Sequence, residues 1–234
     1  MKHVITGIAA ALALCGIATA QGATILGPTP YLQASDSPFA SVSFSQFHLE
    51  NFEDGLLNTP GATVSGGVIT GNQPFADSVD ADDGTIDGFG TQGHSWYSNN
   101  NTSLTFTFNA AILGALPTHA GIVWTDVGYD TEALSFGTVN FEAFDAANNS
   151  LGTKTAFLGD GFSTGQTAED RFFGAINAGG ISKIVISMPY SGDWEVDHLQ
   201  YGVAAAVPEP STYALMALGL AGLGLSARRR QKRA

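Results

Sequence analysis

Between residues 41 and 203 the chain alternates apolar and polar positions in short runs, and Gly, Asn, Asp or Pro punctuates nearly every one. In the run 103–108, Leu104, Phe106 and Phe108 share one side while Thr105 and Thr107 take the other. Ile184, Ile186 and Met188 do the same within 181–188, and 139–144 repeats the pattern. Comparable runs occupy 41–44, 47–52, 63–70, 120–125, 171–176 and 194–201. A period of two places successive side chains on opposite faces, so these runs predict short antiparallel strands, each with one buried side. No part of the body sustains a helical period; residues 110–116 predict a single helical turn, stopped by Pro117. The expected fold is therefore all-β, an antiparallel β-sandwich of jelly-roll type over 41–203. Residues 21–40, with Pro28, Pro30 and Pro38, read as a leader arm or an edge strand.

The two ends follow other rules. Residues 1–20 carry Lys2, then an apolar run from Val4 to Ile17, then Ala18-Thr19-Ala20 before Gln21. Small residues at Ala18 and Ala20 suit the pocket of signal peptidase, so 1–20 reads as a cleaved signal peptide. The single Cys, Cys15, leaves with it, and the bulky Leu14 argues against its acylation. At the other end, residues 204–212 form a small-residue hinge followed by Val207-Pro208-Glu209-Pro210. Residues 213–227 are uncharged, and Arg228, Arg229, Arg230, Lys232 and Arg233 crowd the tail at 228–234. Fifteen helical residues reach only ~22 Å against a ~30 Å hydrocarbon core. That is a marginal transmembrane helix, extended by snorkelling basic side chains and held with its tail in the cytoplasm.

Residues 207–234 resemble the PEP-CTERM sorting signal of exopolysaccharide-producing Gram-negative bacteria: a Pro-Glu-Pro triplet, a short apolar helix and a basic cluster, in that order. The resemblance implies recognition by an exosortase, which cuts near the triplet and releases the domain from the inner membrane to the cell surface or the extracellular matrix. Residues 89–93, 116–126 and 168–174 are similar to segments shared among proteins with such tails. The closing run 194–202 is similar to the last strand of jelly-roll carbohydrate-binding modules, in which an early Glu and a late Asp bind structural calcium; by position these would be Glu53 and Asp197.

Charge narrows the functional classes. The chain has a formal net charge of −12, and residues 21–206 hold 20 acidic side chains against Lys154, Arg171 and Lys183, a net −17. Such a surface repels nucleic acid and attracts cations. Asp77, Asp80, Asp82, Asp83 and Asp87 lie within eleven residues and offer the hard oxygen ligands that Ca²⁺ takes, so calcium is the candidate cofactor. Asp80, Asp82 and Gly84 resemble the start of an EF-hand loop, but Thr91 stands where its last Glu would be. A solvated acidic loop explains the same residues. His119 and His198 read as structural, and alternation places Asp197 and His198 on opposite faces of one strand. No H-E-x-x-H, G-x-S-x-G or phosphate loop occurs in the body. Trp96 and Tyr97 lie beside a polar stretch and offer rings for stacking on sugar, unless Trp96 packs inward.

The expected function is accordingly a non-enzymatic structural or binding component of the exopolysaccharide or biofilm layer, served by signal peptidase and exosortase and passing transiently through the inner membrane. A calcium-dependent carbohydrate-binding module and a secreted polysaccharide hydrolase are the alternatives.

Overall fold

The computed structural model describes residues 22–71, 76–81, 93–130, 134–159, 167–206 and 210–231. Its first half carries strands β1 (Thr24–Pro30), β2 (Phe44–Glu50), β3 (Ala62–Val64), β4 (Val68–Gly71), β5 (His94–Tyr97), β6 (Ser103–Phe108) and β7 (His119–Val127). The second carries β8 (Tyr129–Asp130), β9 (Ser135–Phe136), β10 (Thr138–Phe144), β11 (Ser150–Phe157), β12 (Arg171–Ile176), β13 (Lys183–Ser187) and β14 (Trp194–Ala204). Helix α1 (Ala110–Leu113) is one turn, capped by Asn109 and ended by Gly114 in the left-handed region; α2 (Pro210–Gln231) closes the chain.

Two antiparallel sheets face each other. One runs β1-β12-β7-β14-β5-β4, with β2 pairing the far end of β14; the other runs β11-β10-β13-β6-β3. Between them lie the inward residues that alternation selects: Leu104, Phe106 and Phe108; Val139, Phe141 and Ala143; Ile184, Ile186 and Met188; and, from the larger sheet, Ile122, Trp124, Phe173 and Trp194. All are buried, and Trp124 and Trp194 meet at 4.8 Å between ring centroids. The sandwich expected from the sequence is thus present. The finer jelly-roll topology is not supported: sheets of seven and five strands, with β5 and β2 sharing one flank of β14, replace eight strands in two Greek keys.

Of the two readings of residues 21–40, Thr24–Pro30 takes the edge strand, as β1 on β12. Other elements differ from the sequence reading. The single run expected at 63–70 breaks into β3 and β4, because Gly67 takes φ +82° and the two halves join opposite sheets. Helix α2 forms over the sorting tail with the described side chains of 214–224 exposed. No helix among the described residues is long and apolar enough to cross a membrane, so the transmembrane span expected at 213–227 is not supported. Gly219, Gly222 and Gly224 dilute its apolar stretch, and Arg228 ends it.

The larger sheet is covered on its outer face as well. A second apolar cluster of Tyr31, Phe39, Val79, Val123 and Phe172 seats residues 31–42 and 76–81 there. Every residue of β7 is consequently buried. Polar side chains that alternation aims at solvent end up under these segments, and the site below is built from them.

Candidate metal centre

Strand β14 sets the site. Trp194, Val196, Leu199 and Tyr201 face the core, so the apolar spacing along the strand is two, three, two. The extra residue is a β-bulge: Asp197 pairs with Val123 and Gln200 with Gly121, leaving two residues of β14 opposite Ile122 alone. His198 absorbs the bulge with φ +45°. The neighbours Asp197 and His198 therefore both reach the outer face, contrary to the opposite faces expected from plain alternation. The signal was present in the sequence, where the apolar positions slip from even to odd between Val196 and Leu199.

Residues 76–81 descend onto these groups. The Asp77 amide donates to Glu195 Oε2 at 2.8 Å and the Val79 amide to Asp197 Oδ2 at 3.0 Å. Ser78 Oγ donates to the same Asp197 oxygen at 3.0 Å and lies 3.4 Å from Glu53 Oε1. Asp80, in a 3₁₀ turn at 79–81, places Oδ2 3.2 Å from His198 Nε2 and accepts from Asn51 Nδ2 at 2.8 Å. Glu53 also accepts the His94 amide at 2.5 Å. Behind His198, Nδ1 stands 2.9 Å from the Tyr31 hydroxyl, which accepts from Gln200 Nε2 at 2.8 Å; Gln200 Oε1 accepts from Ser37 Oγ.

Ligand atoms from Asp80, Asp197 and His198 all lie within 4.8 Å of one another. The donor set is two carboxylates and an imidazole, which could hold a divalent metal ion. The cluster is closed: Asp197 and His198 are buried, and only the Asp80 side chain, 37% exposed, meets solvent. Burial pushes the Asp197 carboxyl up to about 7, against the opposing pull of His198 and the hydrogen bonds it accepts. Burial likewise raises Glu195 to about 7. Asp80 is held below its ordinary range, chiefly by the hydrogen bond to His198. For His198, burial pulls downward, but the hydrogen bond to Asp80 and the charges of Asp197, Asp80 and Glu53 outweigh it and the net shift is upward. The ion-free cluster thus favours protons where a cation would otherwise sit.

Of the calcium candidates, Asp80 and Asp197 come together, and Glu53 lies one hydroxyl away through Ser78. Asp77 is fully buried and contributes its amide to Glu195, away from the cluster. Asp82, Asp83 and Asp87 lie outside the described residues, as do Ala18, Ala20, Val207, Pro208, Glu209, Lys232 and Arg233. Pro210 opens α2, and Arg228, Arg229 and Arg230 lie in its last turns, the first two exposed. Trp96 is turned inward and partly buried: its ring packs against Phe52 and Phe106 and its Nε1 donates to the Gly66 carbonyl at 2.9 Å. Tyr97 donates to Asp193 at 3.1 Å. His198, read as structural, is the residue that the sequence analysis missed.

Residues 206–230 match the PEP-CTERM protein-sorting motif. No curated protein matches the chain. The motif marks an exported protein that exosortase recognises and that is processed at the membrane.

Proposed function

We propose that this PEP-CTERM protein, once exported, is a non-enzymatic structural or binding component of the cell surface or extracellular polysaccharide layer, its β-sandwich pinned by one divalent ion. In this reading residues 1–20 are removed by signal peptidase after Ala20, and exosortase cuts near Pro208-Glu209-Pro210. The observation that carries the metal reading is the convergence of Asp80, Asp197 and His198 under the segment 76–81. Three protein ligands leave one position of a tetrahedral ion unfilled, and it is the burial of Asp197 and His198, with only Asp80 meeting solvent, that favours a structural ion over a catalytic one.

The donor chemistry changes the expected ion. Ca²⁺ takes six to eight oxygens, whereas carboxylate with imidazole suits Zn²⁺ and its first-row neighbours. We therefore place a Zn²⁺-class ion here in preference to calcium. The inward Trp96 removes the main support for sugar stacking.

Calorimetric titration of the full chain with Zn²⁺ and with Ca²⁺ tests this. Saturable Zn²⁺ binding that Asp197→Asn or Asp80→Asn abolishes is expected, with Ca²⁺ much weaker. Binding indifferent to both substitutions, or no Zn²⁺ heat at all, sinks the metal reading.

A further inference from the structure

Ser37, Gln200, Tyr31 and His198 form a chain in which every member is buried and each is bonded to the next. Its hydrogen bonds have a direction. Ser37 Oγ donates to Gln200 Oε1, so the amide nitrogen of Gln200 faces Tyr31 and donates to the phenol oxygen at 2.8 Å. With the amide in this orientation the phenol hydrogen is left for His198 Nδ1 at 2.9 Å, and in the neutral ring Nδ1 accepts it. A neutral imidazole accepting at Nδ1 carries its proton on Nε2, and that proton points at the Asp80 carboxylate 3.2 Å away. In this state Nε2 has no lone pair for a metal.

The same four residues can run the other way. A half-turn of the Gln200 amide exchanges its oxygen and nitrogen at almost no steric cost. Gln200 Nε2 then donates to Ser37 Oγ, Tyr31 donates to Gln200 Oε1, and the phenol oxygen accepts from a proton on Nδ1. The Nε2 lone pair is free. Between the two states one imidazole proton leaves Nε2 and one arrives at Nδ1 through water, so proton count and charge are unchanged. Metal-binding histidines are commonly fixed by a partner on the second ring nitrogen; here that partner is a reversible donor and acceptor, itself oriented by an amide.

We propose that Tyr31 and Gln200 are positioning residues for His198, forming a hydrogen-bond relay whose direction selects the imidazole tautomer and whose reversal frees Nε2 for the ion. The inference rests on the metal reading above for its purpose, and on the hydrogen bonds alone for its mechanism. It also reaches the surface: Ser37, Gln200 and Tyr31 line an apolar groove of about 340 Å³ between residues 34–42 and β2. Reversal turns the Ser37 hydroxyl from a donor to Gln200 into a donor available to that groove.

The test uses the full chain with ¹⁵N-labelled histidine, at a pH where the ring is neutral, and Zn²⁺ as the probe. Without metal, His198 should carry its proton on Nε2; after Zn²⁺ it should carry it on Nδ1. Gln200→Glu leaves only acceptors at this position, so it should move the metal-free protein to the Nδ1–H form and tighten Zn²⁺ binding about tenfold, within the range of second-ligand effects. The added negative charge could tighten binding by itself, so the same substitution is repeated in Tyr31→Phe. The relay requires the gain to vanish there; an equal gain in both backgrounds overturns it. A metal-free, unaltered protein already in the Nδ1–H form overturns it too. Should Gln200→Glu not fold, Ser37→Ala removes the hydroxyl that orients the amide and should shift the tautomer in the same direction. If Zn²⁺ does not bind the unaltered chain, the metal reading falls, and the tautomer shifts in the substituted chains still decide the relay.

Discussion

Without a metal ion at the Asp80, Asp197 and His198 cluster, stability should fall steeply as pH rises, and Asp197→Asn should remove about half of that slope. Asp197 is fully buried and titrates at about 7 in the folded chain against an ordinary 3.8; Glu195, 5% exposed, titrates at about 7 against 4.5. Both folded values lie above the unfolded ones, so the native state holds more protons over the interval between them. The contribution of these two groups is then full below about pH 4 and is lost as pH rises towards 7, while the depressed Asp80 acts in the opposite sense at the acid end. Each group contributes only within its own interval, so where the two intervals overlap, near pH 5.5, the slope is about twice that of either group alone. Integrated, Asp197 alone costs about 4 kcal/mol by pH 8, a large share of the 5–15 kcal/mol typical of a domain. Urea unfolding of the chain in EDTA at a series of pH values reads the slope directly. In Asp197→Asn the Glu195 part remains, with the part of the His198 shift that Asp80 and Glu53 sustain, and the variant should be more stable than the parent at pH 8 while less stable in Zn²⁺. Equal slopes in the two proteins, or stability rising with pH in EDTA, would refute the assignment of a buried, protonated Asp197.

Other consequences follow from the packing. Phe106→Ala deletes a fully buried ring between the sheets and should cost about 3–5 kcal/mol, seen as a lower urea midpoint with an unchanged m-value. Gly67→Ala should be destabilising and should alter tryptophan fluorescence, because φ is +82° and a Cβ there would sit 2.2 Å from Trp96 Nε1, breaking its bond to Gly66. Truncation after Ala206 should leave the melting temperature within a degree or two, since the described side chains of 214–224 are exposed and bury nothing against the sandwich.

How much of this was legible beforehand depended on whether one period governed a segment. Strands β6, β10 and β13 bury one face each, so their alternation in the sequence and their side-chain directions coincide. Strand β7 is buried on both faces, and its outward half, Val123 and Thr125, gives no hint in the sequence that loops will cover it. Strand β5 was hidden for a related reason: His94 and Ser95 look like loop residues until Ser95 is seen donating to the buried Glu195 at 2.5 Å. At the site, Asp80 and Asp197 were reachable by composition and resemblance, while His198 was lost because one inserted residue reverses the parity of everything after it. Only the slip in apolar spacing recorded the bulge. Tyr31 and Gln200 carried no motif; a Tyr in a proline-rich arm and a Gln in a strand acquire meaning only when 169 positions of chain are folded between them.

Strand β14 is the last strand and also an inner one, flanked by β7 on one side and by β5 and β2 on the other. A polypeptide that crosses a membrane amino end first delivers its strands in sequence order, so until residue 204 has emerged the larger sheet exists as two unjoined halves. Loop closure over such separations is slow and cannot be nucleated early. The sorting helix begins six residues behind the end of that strand. Closure of the sheet and arrival of the tail at the translocation machinery are therefore nearly simultaneous events. If the chain crosses unfolded behind a signal peptide, as the proposed function has it, a protease that waits for the tail acts on a chain whose final seam has only just become able to close, and Asp80 and Asp197 first meet outside the cytoplasm, where any ion they hold would be acquired.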